Sequence, residues 1–278
     1  MKSDPVQKMV FVLILSLLLI PYFLFGQNVK RFENFRKSKN GTYVIAHRGA
    51  HKGIPENSLP SYKKAIDLGC DFVEIDVRTT KDEKFVSVHN STIDNYVEGK
   101  TGSVRNMTLA ELKALDIGER FGKEWKGTRI PTFEEILQLC HGKIGIYLDL
   151  KDAYVPDLME IIRKYNMEKD IVWYIPSTYL MEMENVQETF GASFIMPDPH
   201  TEENIENVLL KLNPFVIATD MGTLSESFVI KAHAKNAKVF VDEDKGTEPE
   251  WEQILQWKTD GIQTDFPEKL IAFLKNRK

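Results

Sequence analysis

The sequence has 278 residues, of which 42% are hydrophobic and 28% are charged. This composition is typical of a folded protein and excludes disordered, collagen-like and coiled-coil chains. The formal net charge of −5 argues against a general nucleic-acid-binding protein, because binding to a phosphate backbone requires a basic face. The two cysteines are too few for a disulfide-rich scaffold or a cysteine-rich zinc site.

The amino-terminal end has the layout of a secretory signal peptide. Lys2 and Lys8 precede an uncharged, largely apolar run over residues 9–26. We predict cleavage near Gly26, a small residue after which the sequence turns polar. An uncleaved membrane anchor is the alternative, because the run is near the lower length limit of a membrane-spanning helix.

These features predict three regions: a signal peptide over residues 1–26, a polar linker over 27–41 and a folded domain over 42–275. Export places the domain in the periplasm or outside the cell, with membrane contact only if the amino-terminal segment stays uncleaved. An oxidising compartment would permit a disulfide between Cys70 and Cys140. Isolated cysteines are, however, more often small buried hydrophobic residues.

Short β-branched segments alternate with segments of helical apolar spacing along the domain. The predicted strands are 43–47, 72–77, 144–150, 171–175, 193–196, 215–219, 239–242 and 261–264. The predicted helices between them are 58–68, 133–139, 155–165, 179–190, 202–212, 226–236 and 250–257. Eight such βα units favour a closed (β/α)8 TIM-type barrel over an open doubly wound sheet. The absence of a Gly-x-Gly-x-x-Gly sequence after the first strand weakens a dinucleotide-binding alternative.

An additional β segment, residues 85–89, follows the second barrel strand and predicts a hairpin with it. A two-residue turn at 82–83 would place Asp76 opposite His89 on the same face. The next stretch, residues 90–131, is an insertion rich in polar residues. Insertions in barrels favour the loops at the carboxyl ends of the strands, so we expect this one at the substrate mouth.

Charged and polar side chains interrupt the first three barrel strands, although buried parallel strands are normally apolar throughout. They are His47 and Arg48 in the first, Glu74 and Asp76 in the second, and Asp149 and Lys151 in the third. Buried unpaired charges cost several kcal/mol each, and a bound ion is a natural compensation. Three carboxylates suit Mg²⁺ or Ca²⁺ better than zinc. His47 and His89 can serve as general acid and base, while Arg48 and Lys151 can hold an anionic substrate.

The same residues belong to a series of motifs that resembles the glycerophosphodiester phosphodiesterase family. The resemblance covers roughly residues 43–274. Its motifs are His47-Arg48-Gly49, Pro55-Glu56-Asn57-Ser58, Glu74-Ile75-Asp76-Val77, Val88-His89, Leu148-Asp149-Leu150-Lys151 and Thr264-Asp265-Phe266-Pro267. It implies a (β/α)8 barrel that hydrolyses glycerophosphodiesters to glycerol phosphate and an alcohol with the help of a divalent cation.

The resemblance also implies residue roles. His47 and His89 act as general acid and base, and one divalent cation, Mg²⁺ or Ca²⁺, binds at Glu74, Asp76 and Asp149. The substrate phosphate contacts Arg48 and Lys151, and these groups are supported by Glu56 and Asn90. The partner is a small-molecule diester rather than nucleic acid.

Three positions depart from the usual family pattern. Asp149 stands where the family usually has Glu, Asn90 where it has Asp, and Asn95 where it tends to have Arg. The shorter carboxylate at position 149 draws its oxygens back by about one methylene group, which affects metal affinity. The neutral amide at position 90 removes a negative charge that would make His89 more basic.

Two other functions remain open from the sequence. One is a weakly active protein that binds phosphodiesters at the cell surface, and the other is a lysophospholipase D-like enzyme. An exposed apolar rim near Phe121, Trp125 and Met221 would favour the lipase. Because the insertion is mostly polar, we predict a preference for water-soluble, deacylated diesters.

Overall fold

The structure is a computed structural model that describes residues 35–277. All of the described secondary structure lies in one compact unit that begins at Lys37. The predicted signal peptide and the first part of the predicted linker lie outside the described residues. None of the described helices is both long enough and apolar enough to cross a membrane.

Eight parallel strands form a nearly closed barrel in the described part of the chain, and a ninth strand extends one of them as a hairpin. Around the barrel the order is β6-β5-β4-β2-β1-β9-β8-β7, and β6 packs beside β7. The strands are β1 (Tyr43–Ala46), β2 (Phe72–Thr79), β3 (Phe85–Ser87), β4 (Gly145–Leu150), β5 (Ile171–Pro176), β6 (Phe194–Asp198), β7 (Val216–Asp220), β8 (Lys238–Asp242) and β9 (Gly261–Thr264). This confirms the (β/α)8 TIM-type fold.

Ten α-helices accompany the strands within residues 35–277. They are α1 (Leu59–Leu68), α2 (Leu109–Ala114), α3 (Phe133–Cys140), α4 (Val155–Lys164), α5 (Ser177–Met181), α6 (Val186–Phe190), α7 (Ile205–Leu212), α8 (Glu226–Ala234), α9 (Glu248–Gln256) and α10 (Pro267–Asn276). Side-chain oxygens of Ser58, Thr108 and Thr132 cap the amino ends of α1, α2 and α3. Such caps satisfy backbone donors that the first helical turn leaves unpaired.

The single helix predicted over residues 179–190 is wrong, because the structure has two short helices there, α5 and α6. A turn closed by a hydrogen bond from Met183 N to Leu180 O ends the first helix. Leu180, Met183 and Val186 nevertheless pack on the same hydrophobic core. The apolar spacing therefore continues across a break in the backbone helix, and the pattern alone cannot show the break.

Aromatic rings pack the amino-terminal layer of the barrel interior. The ring centroids of Tyr43, Phe72 and Phe240 lie 5.3–6.1 Å apart. Gly261 leaves room for this layer, since a Cβ atom there would come within 2.5 Å of the Phe240 ring. Successive inward-facing positions of β2 run from Phe72 to Glu74, so the interior changes from apolar to charged toward the carboxyl ends of the strands.

The hairpin between β2 and β3 exists, but its predicted register is wrong by one residue. Ser87 pairs with Val77, so His89 does not lie opposite Asp76. The turn has three residues instead of two, and the last of them, Glu83, has a φ of 56°. Three-residue hairpin loops commonly end in a left-handed residue, whereas the two-residue turn would need Gly at this position.

The insertion between β3 and β4 has a small hydrophobic core of its own. It packs against the hairpin through residues that are all nearly inaccessible to solvent: Val86, Val88, Ile93, Tyr96, Val104, Leu112, Ile117 and Ile130. Despite its polar composition, this part of the chain is therefore folded and anchored on the hairpin.

Both cysteines, Cys70 and Cys140, are buried free thiols. Burial raises the pKa of Cys70 to about 12, which keeps it protonated. The two side chains thus serve as small hydrophobic residues in the core.

Candidate active site

A cavity of about 250 Å³ opens at the carboxyl ends of the strands. Of the residues singled out in the sequence, those that line it are His47, Arg48, Glu74, His89 and Asp149. Asp76 and Lys151 contact this group directly. The structure thus brings together residues from two strands, β2 and β4, and from the loops after β1, β3 and β4. They lie at the end of the barrel where enzymes of this fold carry their active sites.

Three carboxylates meet at the adjacent strands β2 and β4. Glu74, Asp76 and Asp149 each place an oxygen within 4.8 Å of the others, and Asp76 pairs with Asp149 in the strand register. Burial, followed by repulsion from Asp76 and Asp149, raises the pKa of Glu74 well above its usual range. Burial also raises the pKa of Asp149, despite the attraction of a nearby lysine. A buried, mutually repelling set of oxygen donors fits a hard divalent cation.

The loop after β1 has its backbone fixed against this cluster. Arg48 has a φ of 51°, and its N–H donates to Glu74 Oε2 at 2.7 Å. The next residue, Gly49, lies so close to α1 that a Cβ atom would come within 2.4 Å of Ser61 Oγ. A left-handed conformation in a non-glycine residue costs free energy and persists only where surrounding contacts hold it, here the hydrogen bond to Glu74. The His47-Arg48-Gly49 motif therefore has a geometric basis as well as a chemical one.

The side chain of Arg48 lies between two acids. Its guanidinium is 3.3 Å from Glu56 and 3.7 Å from Asp76, and its buried Nε has no hydrogen-bond partner among the described residues. Glu56 also accepts a hydrogen bond from the Tyr96 hydroxyl at 3.0 Å, and that hydroxyl accepts one from His89 N at 2.9 Å. Glu56 thus connects Arg48 with the backbone of His89.

Lys151 contacts two of the three clustered carboxylates. Its Nζ donates to Asp149 Oδ2 at 2.7 Å and lies 3.1 Å from Asp76 Oδ1. Burial opposes the charge of Lys151, but the two carboxylates outweigh it and raise the pKa of the ammonium group. Lys151 therefore stays charged, and a cation bound to the cluster would share these oxygens with it.

Asn57 orients Asp76, a role that the sequence analysis did not assign. Its Nδ2 donates to Asp76 Oδ2 at 2.7 Å, and its Oδ1 accepts hydrogen bonds from Tyr62 and Ser87 at 2.8 Å each. All four side chains are buried. The two hydroxyl donors fix the orientation of the amide and therefore of the bond to Asp76.

The two histidines of the cavity have different neighbours at the same ring nitrogen. His47 Nδ1 lies 2.8 Å from Asp265 Oδ1, and His89 Nδ1 lies 2.8 Å from Asn90 Oδ1. In both rings this contact leaves Nε2 as the nitrogen that can exchange a proton. Asp265 was not among the predicted site residues, although its motif was noted.

Several other residues of strands β4 to β9 line the cavity but were not predicted as site residues. They include Tyr147, Tyr174, Asp198, Asp220, Asp242 and Gln263. Desolvation raises the pKa of Asp242, and the nearby His47 offsets this only in part. An available signal was the aspartate at the carboxyl end of three successive strands, but the predicted strands 193–196 and 215–219 ended before it.

Comparison with known proteins identifies the family of this chain. The profile of the glycerophosphoryl diester phosphodiesterase family matches residues 47–194. A glycerophosphodiester phosphodiesterase of Caldanaerobacter subterraneus is 30% identical over 249 residues, which cover 84% of this chain and 98% of that protein. The chain belongs to the glycerophosphoryl diester phosphodiesterase family. This confirms the family and the class of enzyme, a phosphoric diester hydrolase, expected from the sequence.

Solved structures show the same fold. A glycerophosphodiester phosphodiesterase from Agrobacterium tumefaciens superposes with a TM-score of 0.73 at 22% identity, covering 83% of this chain and 99% of that one. A phosphodiesterase from Oleispira antarctica, solved in complex with the product sn-glycerol-3-phosphate, superposes with a TM-score of 0.67 at 22% identity, covering 84% of this chain and 96% of that one.

Proposed function

We propose that this enzyme hydrolyses glycerophosphodiesters to glycerol phosphate and an alcohol, with a divalent cation and two histidines. The observation that carries the proposal is the shared cavity of His47 and His89 beside the carboxylate cluster. The names of the relatives support the substrate class, since the C. subterraneus protein is a glycerophosphodiester phosphodiesterase and the O. antarctica structure contains sn-glycerol-3-phosphate.

The cation would bind at Glu74, Asp76 and Asp149, and we propose Mg²⁺ or Ca²⁺ because the donors are carboxylate oxygens. When bound, it supplies positive charge that stabilises the phosphate oxygens during the reaction. Asn57 holds Asp76 in place for this role, and the Arg48 N–H does the same for Glu74.

Arg48 and Lys151 would bind the phosphodiester. The buried Arg48 Nε is a donor that lacks a hydrogen-bond partner among the described residues, which a phosphate oxygen could provide. Lys151 donates to Asp149 in the structure and would turn its ammonium group toward the substrate. Both side chains are cationic and adjoin the cluster, so they attract the substrate anion to the place where the cation binds.

The histidines would transfer the protons of the hydrolysis. One histidine takes a proton from water as the water oxygen forms a bond to phosphorus. The other donates a proton to the alcohol oxygen as the bond between that oxygen and phosphorus breaks. General acid and base steps of this kind contribute roughly two to four orders of magnitude in rate.

We also propose that the enzyme acts outside the cytoplasm, in the periplasm or the extracellular space. The apolar run over residues 9–26, preceded by two lysines, supports export. The amino-terminal sequence of the protein recovered from its host tests this proposal. A mature chain that begins near residue 27 is expected, whereas an intact amino terminus in a membrane fraction would indicate an anchor.

A hydrolysis assay tests the reaction. Purified protein is freed of metal by chelation and supplied with Mg²⁺, Ca²⁺ or neither, and release of glycerol phosphate is measured for a panel of glycerophosphodiesters. We expect turnover that depends on the cation and disappears on chelation. Tight diester binding without turnover under every condition would support the binding protein instead.

A further inference from the structure

We propose that Asp265 is a positioning residue for the reaction, holding His47 with its proton on Nδ1 so that Nε2 is free to act on the substrate. Lys52 holds the second oxygen of the same carboxylate. The inference rests on the proposed function, because it assigns Asp265 to the proton-transfer step of that reaction. It adds a residue to the site that the sequence motifs alone did not connect with catalysis.

The contacts form a short chain from the surface to the cavity. Lys52 Nζ is 2.8 Å from Asp265 Oδ2, and Asp265 Oδ1 is 2.8 Å from His47 Nδ1. The ring of His51 lies farther away, with its Nε2 at 3.6 Å from Asp265 Oδ1. Each carboxylate oxygen therefore has a cationic or N–H partner, which restricts the rotation of the Asp265 side chain.

The barrel itself brings His47 and Asp265 together. Strands β1 and β9 are adjacent, and His47 N donates to Thr264 O at 3.1 Å. The Phe266 N–H then donates to Thr264 Oγ1 at 2.9 Å, which shapes the turn that carries Asp265. The pair therefore follows from the strand register and does not depend on a flexible surface contact.

The chemistry of the pair selects one form of the imidazole. An ionised carboxylate only accepts hydrogen bonds, so a neutral His47 must carry its proton on Nδ1. Although burial opposes the charge of Asp265, the hydrogen bonds from His47 and Lys52 outweigh it and keep its pKa well below the usual range. The charged and titratable groups around His47 include Asp265, Lys52, His51 and Asp242, with Arg48 and Glu74 in the same cavity.

A second histidine–aspartate pair in the same protein provides a matched control. His233 Nε2 lies 2.8 Å from Asp260 Oδ2, the same separation as in the proposed pair. Asp260 immediately precedes β9, at the end of the barrel opposite the cavity, where it also bonds Lys238 and the Val239 N–H. Loss of Asp260 should therefore affect stability without affecting proton transfer at the cavity.

The first test reads the tautomer of His47 directly and needs no activity. The full-length protein is labelled with ¹⁵N-histidine, and the signals of His47 are assigned with a His47→Gln variant. We expect the Nδ1–H form in the wild type when the ring is neutral, and a mixture richer in the Nε2–H form in Asp265→Ala. The same tautomer in both proteins would overturn the proposal.

The second test separates kcat from KM. We expect Asp265→Ala to lower kcat by roughly 10- to 100-fold, the usual effect of losing a residue that orients a functional histidine. KM should stay within about threefold of the wild type, because substrate contacts remain. Asp265→Glu keeps the carboxylate and should recover part of the lost kcat. Asp260→Ala should leave kcat unchanged while lowering the melting temperature.

Asp265→Asn is a second variant, for the case in which Asp265→Ala does not fold. Asparagine has the same shape as the wild-type aspartate. Its amide can donate to Nδ1 and so reverse the tautomer, and we expect kcat to fall here too. The proposal is overturned if both variants keep kcat within about twofold of the wild type, a change too small for loss of an orienting group. If the wild type hydrolyses no diester, the proposed function fails, and the tautomer measurement still decides the role of Asp265.

Discussion

Single side chains give the two histidines of the cavity unlike surroundings. His47 meets the carboxylate of Asp265, whereas His89 meets the neutral amide of Asn90. The two candidate proton carriers therefore have different hydrogen-bond partners at the same ring nitrogen, one ionisable and one neutral.

Replacing either histidine by alanine should lower kcat by roughly two to four orders of magnitude, because general acid or base catalysis is lost. The fold should be retained, and circular dichroism with a thermal melt checks this. His141→Ala is the control, since His141 is exposed beyond the end of α3. A His47 or His89 variant with wild-type turnover and an unchanged melting temperature would show that the histidine has only a structural role.

Asp149→Glu should bind the divalent cation more tightly than the wild type. The longer side chain extends the carboxylate toward the other two acids, which are already within 4.8 Å. Isothermal titration of chelated protein with Ca²⁺ or Mg²⁺ measures the effect, and Asp157→Glu, at an exposed position of α4, is the control. Weaker binding in Asp149→Glu would mean that the site is adapted to the shorter side chain.

At the scale of secondary-structure elements, the insertion is connected to the cavity through Tyr96. Its ring belongs to the small hydrophobic core of the insertion, and its hydroxyl bonds both Glu56 and the His89 N–H. Folding of the insertion therefore helps to place the loop that carries His89.

Tyr96→Phe should lower stability by about 1 kcal/mol, because the partly buried His89 N–H loses its acceptor and Glu56 loses one of its donors. We also expect a lower kcat, since the His89 loop loses its anchor. Chemical denaturation and steady-state kinetics measure the two effects. Tyr165→Phe serves as the control, because the hydroxyl of Tyr165 accepts only an exposed hydrogen bond from Gln138 in the described structure. Equal effects of the two substitutions would contradict the anchoring role.

At the scale of the whole molecule, the carboxylate cluster makes stability depend on pH and on metal. Glu74 and Asp149 have raised pKa values in the folded protein, mainly because they are buried. Without metal the folded state therefore holds these protons more tightly than the unfolded state, and stability falls as pH rises from the ordinary carboxylate range toward the raised values. A cation that binds the ionised cluster reverses this loss.

We accordingly expect Ca²⁺ or Mg²⁺ to raise the melting temperature more at about pH 7 than at about pH 5. Both pH values lie above the ordinary carboxylate pKa of about 4, but more of the raised cluster is ionised, and free to bind metal, at the higher pH. Thermal melts of chelated protein, with and without metal at both pH values, measure the difference. Glu74→Gln removes one of the acids and should reduce the gain. A metal-induced gain that is the same at both pH values would contradict the assignment of the cation to this cluster.

We expect the mouth of the barrel to limit the size of the substrate. Phe121, Trp125 and Met221, which would form an apolar rim, are only partly exposed. A lipid tail requires a contiguous apolar surface, so we expect glycerophosphocholine to be cleaved with a higher kcat/KM than the lysophospholipid with the same headgroup. A preference of tenfold or more for the acylated substrate, about 1.4 kcal/mol, would favour the lipase.

The barrel and most of the predicted site followed from local features of the sequence. Strand and helix periodicity is set by neighbouring residues, and side-chain alternation within one strand already places Glu74 and Asp76 on one face. The closed architecture then brings the carboxyl ends of all strands to one end, so charged residues at those positions converge without any knowledge of distances. The location of the cavity was therefore available from the sequence.

Contacts between distant segments were decided only by the tertiary structure. His47 and Asp265 meet because β1 pairs with β9 when the barrel closes, although 218 residues separate them in the chain. Lys151 contacts both Asp76 and Asp149 because β2 pairs with β4, two strands that are far apart in the sequence. The hairpin register depended on a left-handed residue at Glu83 that the alternation pattern does not encode. Local pattern specifies which face a side chain occupies, whereas strand register and turn conformation determine which side chains it touches.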